Sequence, residues 1–516
     1  MESIGAATGR AIPPGVLQRV RPRAEWVPWA LAAAIAIGAG LRFATLGLQG
    51  YHHDEAWTAG VILHRNLFTT IGKVTSTEST PYLYYVLAWA WTKVFGSVEW
   101  GLRSLSALIG VATIPVAYLI GRRIAGGATG LAAAALVAVN PALIWYSQEG
   151  RSYALLVLFT ALAFYFFLRA RDGYARRDLV WWAGSSVLAL LTHYFAAMPA
   201  AIEALFLVAG AGRRRRPTLY AVGSVAATGL ALLPLAAHQA SAGHADWITR
   251  IGLGVRLKEV AVTFTSGETG RFIDQPLHSR YAWVPLALLA LALVLVARRA
   301  SRAERRNASI ALVVAAGTLV LALAAVALGH DFLLARNLLP ALIPLLVAAA
   351  VGLACRSAGR LGLAVGAALV AYWLAFAIYV DLRPRLQRPD WRDIATAIGA
   401  PAGPREIVTS GQGTVPILYY TKPRPVQLHD PPTPLPVREV DVLSIGLPRQ
   451  TTTTGLPVPF RYAGHLTRHT VTVTRYRAPR PVPVPWSELL AHYTGFQSRD
   501  VLAQGRGARQ ASKASN

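Results

Sequence analysis

Eleven apolar segments, each about as long as a membrane-spanning helix, dominate this sequence. A helix needs roughly 17–25 mainly apolar residues to cross the hydrocarbon core of a bilayer. The segments follow one another with few polar residues between them, which predicts an all-α polytopic membrane protein. They cover residues 26–48, 103–121, 128–146, 152–169, 179–195, 196–211, 218–238, 281–297, 308–329, 335–354 and 361–380.

The composition supports a membrane protein over a string of soluble domains. Hydrophobic residues make up 54% of the 516 residues and charged residues only 15%, against about 25% charged residues in ordinary soluble domains. The net charge of +26 would suggest nucleic-acid binding in a soluble protein. Here the basic residues stand largely between apolar segments, so we expect a lipid bilayer as partner and no nucleic acid. The single cysteine, Cys355, excludes an intramolecular disulfide and a cysteine-rich metal site.

The basic residues also predict an orientation. Short loops rich in Arg and Lys stay in the cytoplasm, and with eleven spans every such loop lies on the side of the N-terminus. The longer polar loops 49–102 and 240–280 and the C-terminal region then lie on the opposite side. We therefore expect a multi-pass protein of the cell (inner or plasma) membrane with a cytoplasmic N-terminus.

One further apolar stretch, residues 81–96, is expected to lie along the membrane surface. It is short and rich in Tyr and Trp, which concentrate at the membrane–water boundary. If it crossed the bilayer, every later basic loop would face the wrong side. The sequence therefore predicts an interfacial helix inside the first outer loop.

The domain organisation follows from these segments. Within the region after the last apolar segment, a short helix is predicted at Trp391–Ile398 and strands at Glu406–Thr409 and His469–Thr474, with many prolines between. This favours a small α/β or irregular extracytoplasmic domain. The predicted units are a cytoplasmic tail (1–24), a transmembrane domain (25–380), the extracytoplasmic domain (381–503) and a disordered tail (504–516).

Titratable and aromatic side chains gather in the predicted outer loops. Charged groups clustered at the ends of membrane helices mark a functional site, yet each has an ordinary explanation. Asp54 and Glu55 could cap a short helix, His193 could pack at a helix interface, and the other charges could lie in solvated turns. Both readings stay open at this point. The candidates are His53, Asp54, Glu55, Glu78, Glu149, Arg151, Tyr153, His193, His330 and Arg336.

Three stretches of the chain resemble the membrane glycosyltransferases of the GT-C type. They are LGLQGYHHDEAWTAG (46–60), TPYLYYVLAWAWTKVFGSVEWGLRSLSALIGVATIPVAYLIGRRIAGG (80–127) and NPALIWYSQEGRSYALL (140–156). Within that type the chain looks like the family 39-like group, which includes protein O-mannosyltransferases and the aminoarabinose transferase of lipid A. A looser resemblance continues through residues 330–346 and 390–399.

The resemblance implies transfer of a sugar from a polyprenyl-phosphate-linked donor to a hydroxyl acceptor on the extracytoplasmic face. The acceptor would be a protein, a glycolipid or a polysaccharide of the cell envelope. The acidic pair of the family maps to Asp54 and Glu55, which the resemblance makes the candidate catalytic residues, with Asp54 as the base. Residues assigned by this resemblance to the donor phosphate and sugar are Glu149, Arg151, Tyr153, His330 and Arg336.

The sequence leaves the means of stabilising the leaving phosphate open. Arginine side chains could do it, and so could a divalent metal ion, the one cofactor considered. Possible metal ligands are His53, Glu78, Glu149 and His193. A single base and direct displacement predict inversion at the anomeric carbon, because retention needs a second, nucleophilic carboxylate.

A transporter or flippase of a lipid-linked or small solute is the alternative function. Transporters typically have repeated halves and charged groups near the bilayer midplane, and this sequence indicates neither.

Overall fold

The computed structural model describes residues 26–243, 246–269, 279–429, 434–445, 459–468, 470–485 and 499–505, together with single residues 456, 487, 489 and 508. The first helices are Trp26–Phe43 (α1), His53–Trp57 (α2), Leu67–Thr77 (α3), Leu83–Phe95 (α4), Glu99–Ala125 (α5), Gly127–Val139 (α6), Pro141–Ser147 (α7), Tyr153–Gly173 (α8) and Arg176–Thr192 (α9). They are followed by Ala197–Gly210 (α10), Arg215–Ser241 (α11), Leu253–Ser266 (α12), Trp283–Arg299 (α13), Arg302–Ala327 (α14), Leu342–Ala354 (α15), Gly359–Asp381 (α16), Trp391–Ile398 (α17) and Gly411–Tyr420 (α18).

Each of the eleven predicted apolar segments is helical over most of its length. Within the described residues, seven helices are long and apolar enough to cross a membrane, or eight if the bent pair α6 and α7 forms one span. The helices α9, α10 and α13 have 17, 14 and 17 residues and are somewhat shorter. The membrane-protein fold is confirmed, and the number of eleven spans stays a prediction.

Small residues let the central helices approach closely. A Cβ atom added at Gly121 of α5 would lie 2.8 Å from the Thr129 carbonyl oxygen, and one at Gly130 of α6 would lie 2.7 Å from the Tyr118 carbonyl oxygen. Such contacts replace the hydrophobic driving force, which is weak between helices in lipid. The helices α5, α8 and α15 form the buried centre, whereas α1 and α11 are mostly exposed at the periphery.

A sharp break between α6 and α7 turns the chain by 57°. Pro141 starts α7, and the Asn140 side chain caps it by accepting a hydrogen bond from the Leu143 N–H at 3.1 Å. The break frees carbonyl groups at the end of α6, and Arg42 of α1 donates to two of them, those of Val137 (3.0 Å) and Ala138 (2.8 Å). Irregular backbone at membrane depth is tolerated only when its polar groups are satisfied in this way.

The first outer loop and the loop 240–280 both contain helices. Helix α4 has 13 residues, about 20 Å of rise, which is too short to cross a hydrocarbon core of about 30 Å. It occupies the stretch 81–96 for which the sequence predicts an interfacial helix, and its position along the membrane surface stays a prediction. In the later loop, α12 lies where the sequence indicated only a polar excursion.

The C-terminal domain is built on a six-stranded sheet of order β2-β6-β1-β3-β5-β4. Strand β1 is parallel to β3, and the other neighbours are antiparallel. Helices α17 and α18 pack on one face of the sheet. The strands are Arg405–Ser410 (β1), Val426–Leu428 (β2), Pro436–Ile445 (β3), Arg461–Arg468 (β4), Val471–Pro483 (β5) and Arg499–Gln504 (β6).

The local predictions for this domain agree with the structure where it is described. The predicted helix at Trp391–Ile398 is α17, and the two predicted strands are parts of β1 and β5. The predicted tail 1–24, His469 and nearly all of the predicted disordered end 504–516 lie outside the described residues.

We expect Arg42→Met to destabilise the protein, because it leaves the carbonyls of Val137 and Ala138 without a donor in an apolar environment. The cost should be about 2–4 kcal/mol, visible as a lower thermal unfolding midpoint in detergent. Arg298→Met, which replaces an exposed arginine at the end of α13, is the control and should leave the midpoint nearly unchanged. Equal midpoints for Arg42→Met and the unmodified protein would contradict this role.

Candidate active site

The site is organised as four carboxylate–guanidinium pairs that join distant parts of the chain. Two carboxylates, Asp54 and Glu55, lie side by side in the short helix α2, and adjacent positions on a helix point in different directions. Their partners therefore come from different elements. The pairs are Asp54–Arg336 (3.2 Å), Glu55–Arg103 (2.6 Å), Glu78–Arg151 (2.7 Å) and Glu149–Arg388 (3.2 Å).

Asp54 and Arg336 form the accessible pair. One hydrogen bond joins Arg336 Nη1 to Asp54 Oδ2. The Asp54 side chain is 26% exposed and the Arg336 side chain 31%. Arg336 lies in a 3-10 turn, Ala335–Ala341, that leads into α15. Its guanidinium also lies over the Tyr153 ring, 5.8 Å from the ring centre. A single, partly exposed contact leaves both groups able to meet a substrate.

Glu55 is held in a closed clamp. Both of its oxygens accept from the Arg103 guanidinium, at 2.7 and 2.6 Å, and one also accepts from the Gly150 N–H at 3.0 Å. The same arginine donates to the carbonyls of Leu46, Gln49 and Gly50. With both partners buried, this geometry favours a positioning role for Glu55 and not the reacting role that the sequence suggested.

Glu78 fixes Arg151 from the other side of the first loop. Glu78 accepts two hydrogen bonds from Arg151, at 3.0 and 2.7 Å, and a third from the Tyr85 hydroxyl at 2.5 Å. Arg151 also donates to Thr58 Oγ1, whose own hydroxyl donates to the carbonyl of Asp54. The Nε–H of Arg151 is buried and finds no hydrogen-bond acceptor among the residues that the structure describes. It is therefore the part of this guanidinium that could still donate to a ligand.

Glu149 faces a residue of the C-terminal region. Arg388 Nη2 donates to Glu149 Oε2 at 3.2 Å and to the Trp145 carbonyl at 3.0 Å, and its Nη1 donates to the Gln148 carbonyl at 3.2 Å. The guanidinium lies 4.1 Å from the centre of the Trp145 ring. The turn 148–152 thus carries Glu149 toward one arginine and Arg151 toward the opposite carboxylate.

Aromatic side chains surround Arg336. The Tyr153 ring packs edge-on against Tyr146 at 5.1 Å, and the Tyr146 hydroxyl donates to Glu268 at 2.8 Å. The buried His193 ring lies 6.0 Å from Tyr153 and accepts a hydrogen bond from the Phe195 N–H. His193 therefore contributes packing and a local cap beside the site.

The charges shift the acidities of the carboxyl groups in different directions. Burial alone would raise the pKa of Asp54, but the guanidinium groups of Arg336 and Arg151 lower it well below its usual range. Burial would also raise the pKa of Glu55, but the charge and hydrogen bonds of Arg103 lower it to about 2. For Glu149, burial outweighs the attraction of Arg388, and the pKa rises to about 7.

Two of the predicted assignments do not agree with this geometry. His330 is exposed, and no contact joins its side chain to the other site residues in the part of the chain that the structure describes. The proposed metal ligands His53, Glu78, Glu149 and His193 do not come together either. Among the described residues, no group of three or more His, Cys, Asp or Glu side chains has the geometry to hold a metal ion. The physical reason is that Glu78 and Glu149 each face a guanidinium.

Sequence reasoning missed three residues of the site. Arg103 lies in a segment that the sequence predicts as an apolar span. Arg388 lies among several other arginines. Neither residue was therefore identified as a candidate. Glu268 lies in the polar loop 240–280, where nothing in the sequence indicates its partner. A signal for Arg103 was available, because an arginine inside an apolar segment requires a buried partner.

We expect the stability gained by Glu149→Gln to depend on pH. Burial raises the pKa of Glu149 from 4.5 to about 7, so the folded protein disfavours the ionised carboxylate. Stability is therefore unaffected below about pH 4.5, decreases as the pH rises, and reaches its full loss above about pH 7. The free energy of unfolding of Glu149→Gln relative to the unmodified protein should therefore rise by up to about 3 kcal/mol between pH 5 and pH 8. The thermal unfolding midpoint of the variant relative to the unmodified protein should rise with it. Asp172→Asn, which removes an exposed carboxylate, is the control; a difference for Glu149→Gln that is equal at both pH values would contradict the shift.

Comparisons with known proteins agree with the fold. Residues 79–238 match the family model of dolichyl-phosphate-mannose-protein mannosyltransferase. The structure of ArnT from Cupriavidus metallidurans in the apo state superimposes with a TM-score of 0.52 at 14% identity, covering 87% of this chain and 97% of that chain. ArnT bound to undecaprenyl phosphate gives a TM-score of 0.50 at 13% identity, covering 87% and 98%.

The archaeal oligosaccharyltransferase AglB from Archaeoglobus fulgidus is also similar, with a TM-score of 0.46 at 14% identity over 73% of this chain. This chain spans about 58% of the length of AglB. A search of curated proteins gave no match. The family match and the ArnT fold together confirm the resemblance to the GT-C-type membrane glycosyltransferases of the family 39-like group.

Proposed function

We propose that this protein transfers a sugar from a polyprenyl-phosphate-linked donor to a hydroxyl group in the cell envelope. The observation that carries the proposal is the Asp54–Arg336 pair, since it places an accessible carboxylate beside an accessible guanidinium. The chemistry needs a base for the acceptor and a cation for the leaving phosphate. The fold shared with an ArnT structure bound to undecaprenyl phosphate supports a lipid-linked donor.

In the proposed reaction, the acceptor oxygen attacks the anomeric carbon while its proton moves to a carboxylate oxygen of Asp54. The bond between the anomeric carbon and the phosphate oxygen breaks, and the electron pair leaves with the polyprenyl phosphate. A positioned general base typically contributes about 10²–10⁴-fold to a rate. Asp54 suits this role because it is the most exposed carboxylate of the four pairs.

Arginines would stabilise the leaving phosphate. Arg336 is the first candidate. The second is the buried Nε–H of Arg151, which has no acceptor within the described part of the chain. Guanidinium groups bind phosphate oxygens through charge-assisted hydrogen bonds. A phosphate that shares Arg336 with Asp54 would weaken the pull of that cation on Asp54 and raise the pKa of the carboxyl, which makes it a better base.

The arrangement favours inversion at the anomeric carbon. Retention would require a second carboxylate as nucleophile about 5 Å from the first. Glu55 is the nearest in sequence, but both of its oxygens accept hydrogen bonds from Arg103. One base and direct displacement therefore fit the site best.

Replacement of Asp54 tests the base. Asp54→Asn keeps the shape of the side chain and removes the proton acceptor, so transfer of label from polyprenyl-phosphate-linked sugars to envelope acceptors should fall by about 10²–10⁴-fold. Asp393→Asn, at an exposed carboxylate of the C-terminal domain, is the matched control and should retain activity. Full transfer by Asp54→Asn would remove Asp54 as the base, and uptake of an unchanged solute into vesicles would favour a transporter.

We also propose that the site and the C-terminal domain face the cell exterior. Helix α5 has 27 residues, about 40 Å, and it separates Arg103 at the site from Arg122 and Arg123 at its other end. Arginines of short loops remain cytoplasmic, so the site end of α5 belongs outside.

Cysteine labelling tests this orientation. In intact cells or spheroplasts, a membrane-impermeant maleimide should label Arg461→Cys in the exposed strand β4 and should label Arg214→Cys, between α10 and α11, only after lysis. Both positions are exposed, and the native Cys355 is buried. The opposite labelling pattern would place the site in the cytoplasm.

A further inference from the structure

We propose that the C-terminal domain is part of the catalytic machinery, because its connecting segment carries Arg388 as a positioning residue for Glu149 and the turn 148–152. This inference rests on the proposed function and adds a role for a region that the family match, residues 79–238, does not include. The argument depends on three observations: the contacts of Arg388, the anchoring of its segment, and the position of the turn.

Arg388 is buried and contacts the site through one turn. Three acceptors receive hydrogen bonds from its two terminal nitrogens: the carbonyls of Trp145 and Gln148 and the carboxylate of Glu149. The flat guanidinium also covers the Trp145 ring. An arginine forms such a planar, multidentate contact better than any other side chain. Its contacts therefore fix the backbone before the turn as well as the carboxylate within it.

The segment that carries Arg388 is anchored to the first outer loop. Asp390 accepts from the Gly50 N–H at 2.9 Å and also from two N–H groups at the start of α17. The Arg392 guanidinium donates to the carbonyls of Gly47 and Leu48 and pairs with Glu99. A Cβ atom added at Gly50 would lie 2.7 Å from the backbone nitrogen of Arg392, so the two backbones are in contact.

Helix α18 of the same domain supplies a second anchor. The Tyr420 hydroxyl donates to Glu99 at 2.6 Å and accepts from the Tyr51 N–H at 2.6 Å. Tyr419 packs edge-on against the Tyr51 ring at 5.7 Å. Tyr51 lies three residues before Asp54. The docked domain therefore holds the segment that leads into α2 and also carries Arg388.

The turn 148–152 transmits any displacement of Arg388 to both sides of the site. The Gly150 N–H donates to Glu55, and Arg151 donates to Glu78. Gln148 donates to the Leu41 carbonyl of α1. Besides Arg388, electrostatic interactions link Glu149 to Glu55 and Asp54 from α2, to Arg336 from the turn before α15, and to the tyrosines Tyr84, Tyr146 and Tyr153. Without Arg388, the repulsion from Glu55 and Asp54 would be opposed by the attraction of Arg336.

The test compares full-length Arg388→Gln and Arg388→Lys with Arg385→Gln, an exposed arginine of the same segment. We expect Arg388→Gln to lower kcat for sugar transfer at least about tenfold, with the donor KM changed less than about threefold, because a displaced Glu149 affects the reaction more than donor binding. Arg388→Lys keeps the positive charge but loses the planar, multidentate contact, so its kcat should lie between those of Arg388→Gln and the unmodified protein. Arg385→Gln should match the unmodified protein.

A second measurement does not depend on transfer. Hydrogen exchange of the backbone N–H groups in residues 145–152, measured without substrate, should be faster in Arg388→Gln than in Arg385→Gln. If Arg388→Gln fails to fold, the double variant Glu149→Gln/Arg388→Gln replaces it in the exchange measurement, because it leaves no unpaired charge. Unchanged exchange, or unchanged kcat in a folded Arg388→Gln, would overturn the inference.

These readouts separate the two proposals. If the unmodified protein transfers no sugar but Arg388→Gln accelerates exchange in 145–152, the proposed function fails and the positioning of the turn stands. If the unmodified protein is active and a folded Arg388→Gln keeps both its kcat and its slow exchange in 145–152, the proposed function stands and the positioning inference fails.

Discussion

The structure depends on the pairing of Asp54, Glu55, Glu78 and Glu149 with guanidinium groups. An unpaired charge at the edge of a bilayer is costly, and breaking a buried ion pair leaves a charge that costs several kcal/mol. The four pairs join α2, α5, the turn 148–152, the turn before α15 and the segment after α16. Each pair links elements far apart in sequence, so the site is complete only when those elements have packed together.

Three of the pairs are largely buried and make several hydrogen bonds each, and the fourth is different. Glu55, Glu78 and Glu149 each face an arginine that also binds backbone or side-chain acceptors. Asp54 and Arg336 share one hydrogen bond and remain partly exposed. The three buried pairs therefore hold the supporting charges in place. The Asp54–Arg336 pair is the one whose members can exchange partners with a substrate.

The sequence predicted the elements better than the contacts. The helix at Trp391–Ile398 and the membrane fold follow from local patterns, and Asp54, Arg151 and Arg336 were found from motifs in the outer loops. Arg388 could not be found in this way, because its role arises from the docking of the C-terminal domain onto the first loop, a contact across more than 200 residues of sequence. The metal set failed for a related reason: carboxylates that suit a cation in a motif are neutralised by arginines in the fold.

The balance of charge in the site has a kinetic consequence. The four guanidinium groups are balanced by the four carboxylates except for the partly protonated Glu149, so the pairs create little long-range field that would steer an anionic headgroup from solution. A lipid-linked substrate would then arrive by lateral diffusion within the leaflet, and the frequency of encounter would follow its density in the membrane and change little with ionic strength.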